Sequence, residues 1–271
     1  MKVTLIQPPY PINHEAEMEL QWQLDAIAAI PPGGTDLIAL QENSNVTGVS
    51  GVEESIRHIQ GAGADYCRQL VEHARRIGCA ILAGIKSWDG THFHNQVALI
   101  TPGGEVTYPY SKNHLVALEH RDKVLQGERA DVFEYNGIRF GAAICFDFYF
   151  TELFQHYARQ RADVIFISSH QRQEPGDNLE FLTRARAFDS GCTVIRVAPA
   201  MPDSSIGGRS MVVAPDGRIL ANAGGMPCVL TCEFEPHARF VRPASYNEKN
   251  RVGDYREVIQ NACRPELYNQ Q

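Results

Sequence analysis

The sequence lacks an apolar run long enough to cross a membrane. A spanning helix needs about 20 consecutive apolar residues, and no run here reaches even about 18 residues. Residues 1–10 also lack the apolar region and small-residue cleavage site that are typical of a secretory signal. We therefore expect neither a membrane span nor a secreted protein.

A basic excess and a metal-type cysteine pattern are missing as well. The net charge is −7, and lysine and arginine form no long cluster, which disfavours nucleic acid as a partner. The seven cysteines are scattered without the paired spacing that is typical of metal ligands. Free thiols are typical of a reducing compartment, so the sequence predicts a cytoplasmic protein.

What the chain does have is an ordinary globular composition. Of its 271 residues, 44% are hydrophobic and 21% are charged, which is enough to build a sizeable core and excludes a mostly disordered chain. No linker rich in proline, glycine or serine divides it. We therefore predict a single domain over residues 1–271.

Apolar patterning predicts alternating strands and helices. Strands are predicted over residues 3–7, 36–40, 80–85, 93–101, 132–135, 138–144, 164–168, 193–198, 211–214, 218–220 and 229–233, with a further strand ending at Tyr110. Helices are predicted over residues 15–30, 65–77, 151–159 and 179–190. So many strands favour two sheets with helices outside. Residues 236–271 are polar with no clear strand, and we expect this extension to wrap over a surface or a subunit interface.

Cys145 is the first candidate for chemistry. It follows the apolar strand 138–144, and a helix is predicted shortly after it. A side chain at a strand-to-helix turn is presented at the edge of a sheet, where a nucleophile is useful, and a nearby helix N-terminus would favour the thiolate. The alternative is a buried structural cysteine, which is the commonest role of a free thiol and our interpretation of the other six.

Two acids and a lysine are further candidates. Glu42 follows the strand 36–40, at the edge where ligand sites of α/β proteins lie, and could act as a general base. Lys112 follows the strand that ends at Tyr110 and could place a positive charge on a developing oxyanion. Glu119 lies in the loop beyond and could support the site. Taken singly, each of the three is more often a solvated surface residue.

Taken together, these segments resemble the carbon–nitrogen hydrolase family, often named the nitrilase superfamily. The resemblance extends from Met1 to about Glu233, with Gln41 in place of the family's proline. Glutamate, lysine and cysteine each follow the expected strand in the expected order, which makes the combination specific. The matching segments are Leu37-Ile38-Ala39-Leu40-Gln41-Glu42, Lys112-Asn113-His114-Leu115, Gly141-Ala142-Ala143-Ile144-Cys145-Phe146-Asp147, Arg184-Ala185-Arg186-Ala187, Gly208-Arg209-Ser210, Pro215-Asp216-Gly217 and the tail Arg264-Pro265-Glu266-Leu267-Tyr268.

The resemblance implies a four-layer α-β-β-α sandwich of the nitrilase type, and assembly into a homodimer or a larger homo-oligomer. It implies Cys145 as the nucleophile, Glu42 as the base and Lys112 as the stabiliser of the oxyanion. Glu119 would orient and polarise Lys112 or the leaving amine. The implied activity is cleavage of a non-peptide C–N bond in a small amide or N-carbamoyl compound, through a thioester that water hydrolyses. Such a reaction requires neither a metal nor an organic cofactor.

Departures from the family pattern bear on the substrate. Tyr149 stands where many family amidases carry an arginine that can pair with a substrate carboxylate, so an ω-amino-acid amide held at this position is disfavoured. Phe146, whose backbone N–H would help Lys112 to hold the oxyanion, stands where nitrilases proper have tryptophan, which favours amides over nitriles. His170 and Arg172 follow a strand and should border the pocket, where they could contact a polar or anionic substrate. A surface loop is the alternative for both.

Other activities are compatible with the same residues. A Cys–His hydrolase with His114 or His170 as base would lose activity when the histidine is replaced and would tolerate Glu42→Gln. The triad could instead hydrolyse nitriles or transfer an acyl group to an amine. A binding scaffold that kept the triad without turnover would show no acylation of Cys145. The hydrolase is favoured because all three positions of the triad are occupied.

Overall fold

The computed structural model describes residues 1–12, 15–243 and 252–267. Within these ranges the strands are, in chain order, β1 (Lys2–Gln7), β2 (Leu37–Ala39), β3 (Ala80–Trp88), β4 (Phe93–Ile100), β5 (Val106–Ser111), β6 (Phe133–Tyr135), β7 (Ile138–Ile144), β8 (Val164–Ser168), β9 (Thr193–Val197), β10 (Met211–Val213), β11 (Ile219–Asn222), β12 (Cys228–Glu233), β13 (Val241–Pro243) and β14 (Val252–Asp254). The α-helices are α1 (Ala16–Ala28), α2 (Val52–Gln60), α3 (Ala62–Ile77), α4 (Ala117–Arg121), α5 (Thr151–Arg159), α6 (Gly176–Ser190) and α7 (Tyr255–Ala262). Short 3₁₀ turns span Cys145–Tyr149 and Pro265–Leu267.

Two six-stranded mixed sheets form the centre of the molecule. The strand order is β12-β1-β2-β3-β4-β5 in the first sheet and β11-β10-β9-β8-β7-β6 in the second. In each sheet three neighbouring strands are parallel, and antiparallel strands flank them on both sides. The two sheets therefore repeat one topology.

The layers follow from which faces of the sheets are apolar. Helices α1 and α3 cover the outer face of the first sheet and form an apolar cluster with it, which includes Leu24 and Leu70. Helices α5 and α6 cover the outer face of the second sheet in a similar cluster, which includes Phe154. The facing surfaces of the two sheets share a third cluster, which includes Leu82 and Phe166. Because β8 is covered on both faces, it is buried throughout, and its first four residues are an apolar run that ends before Ser168. This is the α-β-β-α sandwich that the resemblance implied, and the prediction is confirmed.

Most predicted elements are present, and α5 and β8 have the predicted bounds. Five elements were not predicted, namely α2, α4, β13, β14 and α7. Both α2 and α7 carry apolar residues at helical spacing, such as Ile56 and Ile59 in α2 and Ile259 and Ala262 in α7. These short stripes were missed because most of the residues around them are charged or polar. The expectation that residues 236–271 contain no clear strand is wrong, because β13 pairs antiparallel with β14. Each strand has only three residues, which is too short for a pattern to be visible in the sequence.

The described part of the C-terminal extension lies against the outer helices. Helix α7 contacts α5, and the Arg256 guanidinium donates to the Ala162 carbonyl (2.7 Å) and to the Asp254 carboxylate (2.7 Å). Tyr268, the last residue of the tail motif, lies outside the described residues. Among the helices that the structure describes, none combines the length and the apolar character of a membrane span.

Candidate active site

Cys145 begins the 3₁₀ turn at the C-terminal end of β7. Its backbone φ is +47°, in the left-handed region that residues other than glycine rarely adopt. Such a conformation persists only where its surroundings impose it. Gln171 Nε2 donates to the Cys145 carbonyl (3.1 Å), and the buried Arg196 guanidinium donates in turn to Gln171 Oε1 (2.8 Å). These contacts hold the turn that presents the thiol.

Asp147 joins this turn to the segment that carries Lys112. Its carboxylate is fully buried and accepts hydrogen bonds from the Ile144 backbone N–H (2.9 Å) and the Tyr110 hydroxyl (2.7 Å). It also accepts from the backbone N–H of His114 (2.9 Å), whose Nδ1 lies 2.7 Å from the same carboxylate. Asp147 thereby fixes the end of β5 in the first sheet against the end of β7 in the second.

Lys112 lies between two carboxylates. Its ammonium donates to Glu42 Oε1 (2.9 Å) and Glu119 Oε1 (2.8 Å), and the Lys112 and Glu42 side chains are 2% and 3% exposed. Burial by itself would lower the pKa of Lys112, but the negative charges of Glu42 and Glu119 raise it well above its ordinary value. Lys112 is therefore a permanent cation. An ammonium has three N–H groups. Two of those of Lys112 donate to the carboxylates, so one N–H group remains.

Asn95, on β4, holds the same two carboxylates. Its Nδ2 donates to Glu42 Oε1 (2.7 Å) and to Glu119 Oε1 (3.1 Å). Asn95 is not among the site residues predicted from the sequence. A signal was nevertheless present, because asparagine is depleted in strands, and it stands here between Phe93 and Val97, two apolar residues that face the same side of the strand and are fully buried.

The loop that carries Glu42 passes close to β3. A Cβ at Gly84 would lie only 2.5 Å from Glu42 Cα and would also collide with the Ser168 hydroxyl. The Gly84 carbonyl accepts a hydrogen bond from the Ser44 backbone N–H (2.8 Å), just beyond Glu42. A glycine at this position therefore allows the base-carrying loop and the end of β8 to meet.

The Cys145 thiol lies beside the Glu42 carboxylate, and both line the same cavity. Burial raises the pKa of this thiol well above its ordinary value, and the charge of Glu42 raises it further, whereas Lys112 lowers it. The expectation that a helix N-terminus would favour the thiolate is wrong, because burial and the neighbouring carboxylate outweigh it. The thiol is protonated at neutral pH and needs a base in contact, the position that Glu42 occupies.

A cavity of about 410 Å³ opens over these groups. Six of the eight predicted site residues line it, namely Glu42, Lys112, Glu119, Cys145, His170 and Arg172. Phe146 and Tyr149 are not among the described residues that line the cavity. The Tyr149 hydroxyl donates to Glu174 (2.8 Å), and the Phe146 ring packs edge-on against Phe150 with 5.3 Å between centroids. Substrate contact by these two aromatic residues stays a prediction.

The two histidines considered as bases have different surroundings. His170 Nε2 is buried and has no hydrogen-bond partner among the described residues, and burial lowers the pKa of this imidazole to about 3. His114 is engaged with Asp147, and its ring stacks on Phe150 at 3.7 Å. Glu42 is favoured as the base because its carboxylate lies beside the Cys145 thiol and accepts a hydrogen bond from Lys112 (2.9 Å).

Comparison with known proteins identifies a family model that matches this chain and several amidases to which the chain is similar. Residues 2–235 match the family model for carbon-nitrogen hydrolases. A deaminated glutathione amidase of Synechocystis sp. is 30% identical over 223 residues, which cover 75% of this chain and 80% of that protein. A 2-oxoglutaramate amidase of Bacillus subtilis is 27% identical over 170 residues, covering 61% and 66%. The crystal structure of an amidase from Nesterenkonia sp. superposes with a TM-score of 0.76 at 21% identity, over 99% of this chain and 95% of that one, so the two share a fold.

Proposed function

Because this chain belongs to the carbon–nitrogen hydrolase family, we propose that it hydrolyses the C–N bond of a small linear amide or N-carbamoyl compound through a thioester on Cys145. One observation supports this most directly. Three strand ends, far apart in sequence, bring the Cys145 thiol, the Glu42 carboxylate and the Lys112 ammonium to one cavity. An acyl-transfer reaction needs a nucleophile, a base and a cation in this arrangement.

The first step forms the thioester. Glu42 takes the proton of the Cys145 thiol, and the sulfur attacks the carbonyl carbon of the amide. Negative charge develops on the carbonyl oxygen, where the remaining N–H group of Lys112 and the backbone N–H of Phe146 stabilise it. Glu42 then gives its proton to the leaving nitrogen, the C–N bond breaks, and ammonia or an amine departs.

The second step releases the acid. Glu42, again a carboxylate, takes a proton from water, and the hydroxide attacks the thioester carbonyl. The C–S bond breaks, the proton returns from Glu42 to the sulfur, and the carboxylic acid leaves. Each proton that leaves the thiol or water passes through Glu42, so one correctly placed base serves both halves of the reaction.

We assign Glu119 a positioning role. One of its oxygens accepts a hydrogen bond from Lys112 (2.8 Å), and the other accepts from the Val116 backbone N–H (3.0 Å). It lies on α4 instead of the loop expected from the sequence. The Val116 contact fixes the Glu119 carboxylate, which in turn directs the Lys112 ammonium.

We further propose that residues 236–271 extend the single domain over residues 1–271 and do not form a second one. The contact of α7 with α5 and the burial of Arg256 support this proposal. The homo-oligomer and the cytoplasmic location stay predictions.

The test is ammonia release from a panel of aliphatic amides, N-carbamoyl compounds and nitriles. Wild type, Cys145→Ala and Cys228→Ala are compared, because Cys228 is a partly buried cysteine on β12 that does not line the cavity. We expect wild type and Cys228→Ala to release ammonia from amides, and Cys145→Ala to release none. Intact mass spectrometry should show an acyl adduct only where Cys145 is present.

Each other outcome has a distinct meaning. Full activity of Cys145→Ala would refute the thioester mechanism. An adduct that only an added amine discharges would indicate acyl transfer in place of hydrolysis. No ammonia and no adduct with any compound would contradict the proposed function.

A further inference from the structure

Lys86 brings a second ammonium group to the catalytic cavity. It lies on β3 and pairs in register with Asn95 on β4. Directly paired residues of antiparallel strands point to the same face, with Cβ atoms about 4.5–5.5 Å apart. Lys86 is therefore the immediate neighbour of the residue that holds Glu42 and Glu119, and it lines the same cavity as they do.

Unlike the Lys112 ammonium, the Lys86 ammonium forms no ion pair within the described part of the chain. Among the residues that the structure describes, Lys86 Nζ has no hydrogen bond and no carboxylate oxygen within 4.0 Å, whereas Lys112 Nζ has two. It lies over the face of the Phe93 ring, 4.3 Å from the centroid. Burial lowers the pKa of Lys86, and the charge of Asp122 is the largest influence in the opposite direction. The ammonium is thus partly desolvated, and its N–H donors are available to a ligand.

The charges around the cavity select the kind of ligand. The charge of Lys112 is balanced by Glu42 and Glu119, which its ammonium contacts directly. Lys86 has no such contact, and a partly desolvated cation is stabilised when it gains an anionic acceptor. Because Asp122 and two catalytic carboxylates also line the cavity, a singly charged carboxylate fits better than a phosphate dianion.

Resting on the proposed function, we propose that Lys86 binds a carboxylate of the substrate. The preferred substrates are then half-amides of short dicarboxylic acids, with the amide carbon at Cys145 and the carboxylate at Lys86. The spacer is short because Lys86 is one register pair from Asn95, which itself contacts Glu42. The substrate carboxylate is thus bound by a residue of β3. Tyr149, the position at which the sequence disfavours a carboxylate, lies on a different element.

The test compares succinamate with butyramide, an amide of similar length without the charge. The proteins are wild type, Lys86→Met, Lys86→Arg and the control Lys2→Met, which removes an exposed lysine outside the cavity. We expect wild type to prefer succinamate in kcat/KM. Lys86→Met should lose about ten- to a hundred-fold in kcat/KM on succinamate, mainly through KM, the range for a hydrogen bond to a charged group. On butyramide it should stay within about twofold, and Lys86→Arg should keep part of the preference.

Contrary outcomes separate the inference from the function beneath it. Equal losses on both amides, or a wild type that does not prefer succinamate, would overturn the role of Lys86 while leaving the hydrolase intact. A wild type that hydrolyses neither amide would overturn the assignment of half-amides as substrates. The proposed function falls with it only if the whole panel of amides, N-carbamoyl compounds and nitriles gives neither ammonia nor an adduct on Cys145. If Lys86→Met does not fold, as judged by its melting temperature, Lys86→Gln provides the same comparison.

Discussion

Replacement of Asn95 by aspartate tests how the catalytic base is held. The substitution keeps the size of the side chain but replaces the Nδ2 donor with an oxygen. Glu42 loses the hydrogen bond of 2.7 Å and Glu119 the one of 3.1 Å. A third carboxylate is then placed beside two that already share one lysine, and like charges at this separation raise the pKa of one of them.

The magnitude follows from the contact with Glu42. A hydrogen bond to a charged group contributes about 1.5–3 kcal/mol, and about 1.4 kcal/mol corresponds to a tenfold change in rate. We therefore expect kcat/KM of Asn95→Asp to fall by at least about ten- to a hundred-fold near pH 8. The loss should be smaller at lower pH, because protonation of the acid cluster removes the repulsion and restores a donor.

The assay is steady-state ammonia release between pH 5 and 9, with kcat/KM expressed relative to wild type. Gln96→Glu is the matched control, since it makes the same amide-to-acid change at the next residue of β4, where the side chain contacts Ser111 (3.1 Å). We expect the control to stay within about twofold of wild type. Wild-type activity of Asn95→Asp across the pH range would refute the conclusion that Asn95 orients Glu42.

Two other substitutions probe the same site. Lys112→Ala should lower kcat by about a hundred- to a thousandfold in the same assay, because it removes the cation that faces the oxyanion; an effect confined to KM would assign Lys112 to substrate binding. Gly84→Ala should lower both kcat/KM and the melting temperature, because the added Cβ would lie 2.5 Å from Glu42 Cα; unchanged kinetics would show that the loop carrying Glu42 can move away without cost.

The sequence predicts the fold well where burial produces an apolar pattern. The run 164–168 is buried on both faces and its bounds were predicted correctly, as were those of α5. Helix α7 was missed although Tyr255, Ile259 and Ala262 lie at helical spacing, because the stripe is short and the surrounding sequence is polar. Its buried residue is Arg256, which docks through hydrogen bonds to Ala162 and Asp254.

The residues of the site were likewise predicted in some places and missed in others. Glu42, Lys112 and Cys145 were found because each follows a predicted strand, which is apolar for Glu42 and Cys145, and the resemblance then supplied their roles. Asn95 and Arg196 were missed because they lie inside strands, where the surrounding pattern indicates only packing. Both are polar residues within buried strands, and a buried polar side chain requires a partner. That requirement, applied strand by strand, is the signal that could have identified them.

The contact of Asp147 with Tyr110 has a mechanical consequence for the whole sandwich. The two sheets meet mainly through closely packed apolar side chains, and the directed hydrogen bonds of Asp147 add a fixed point to that packing. Asp147 ties the sheets together at the end where Cys145 meets Glu42. Displacements caused by repacking are therefore absorbed more easily at the opposite end of the sandwich, so tolerance to mutation in the inner layer should increase with distance from Asp147.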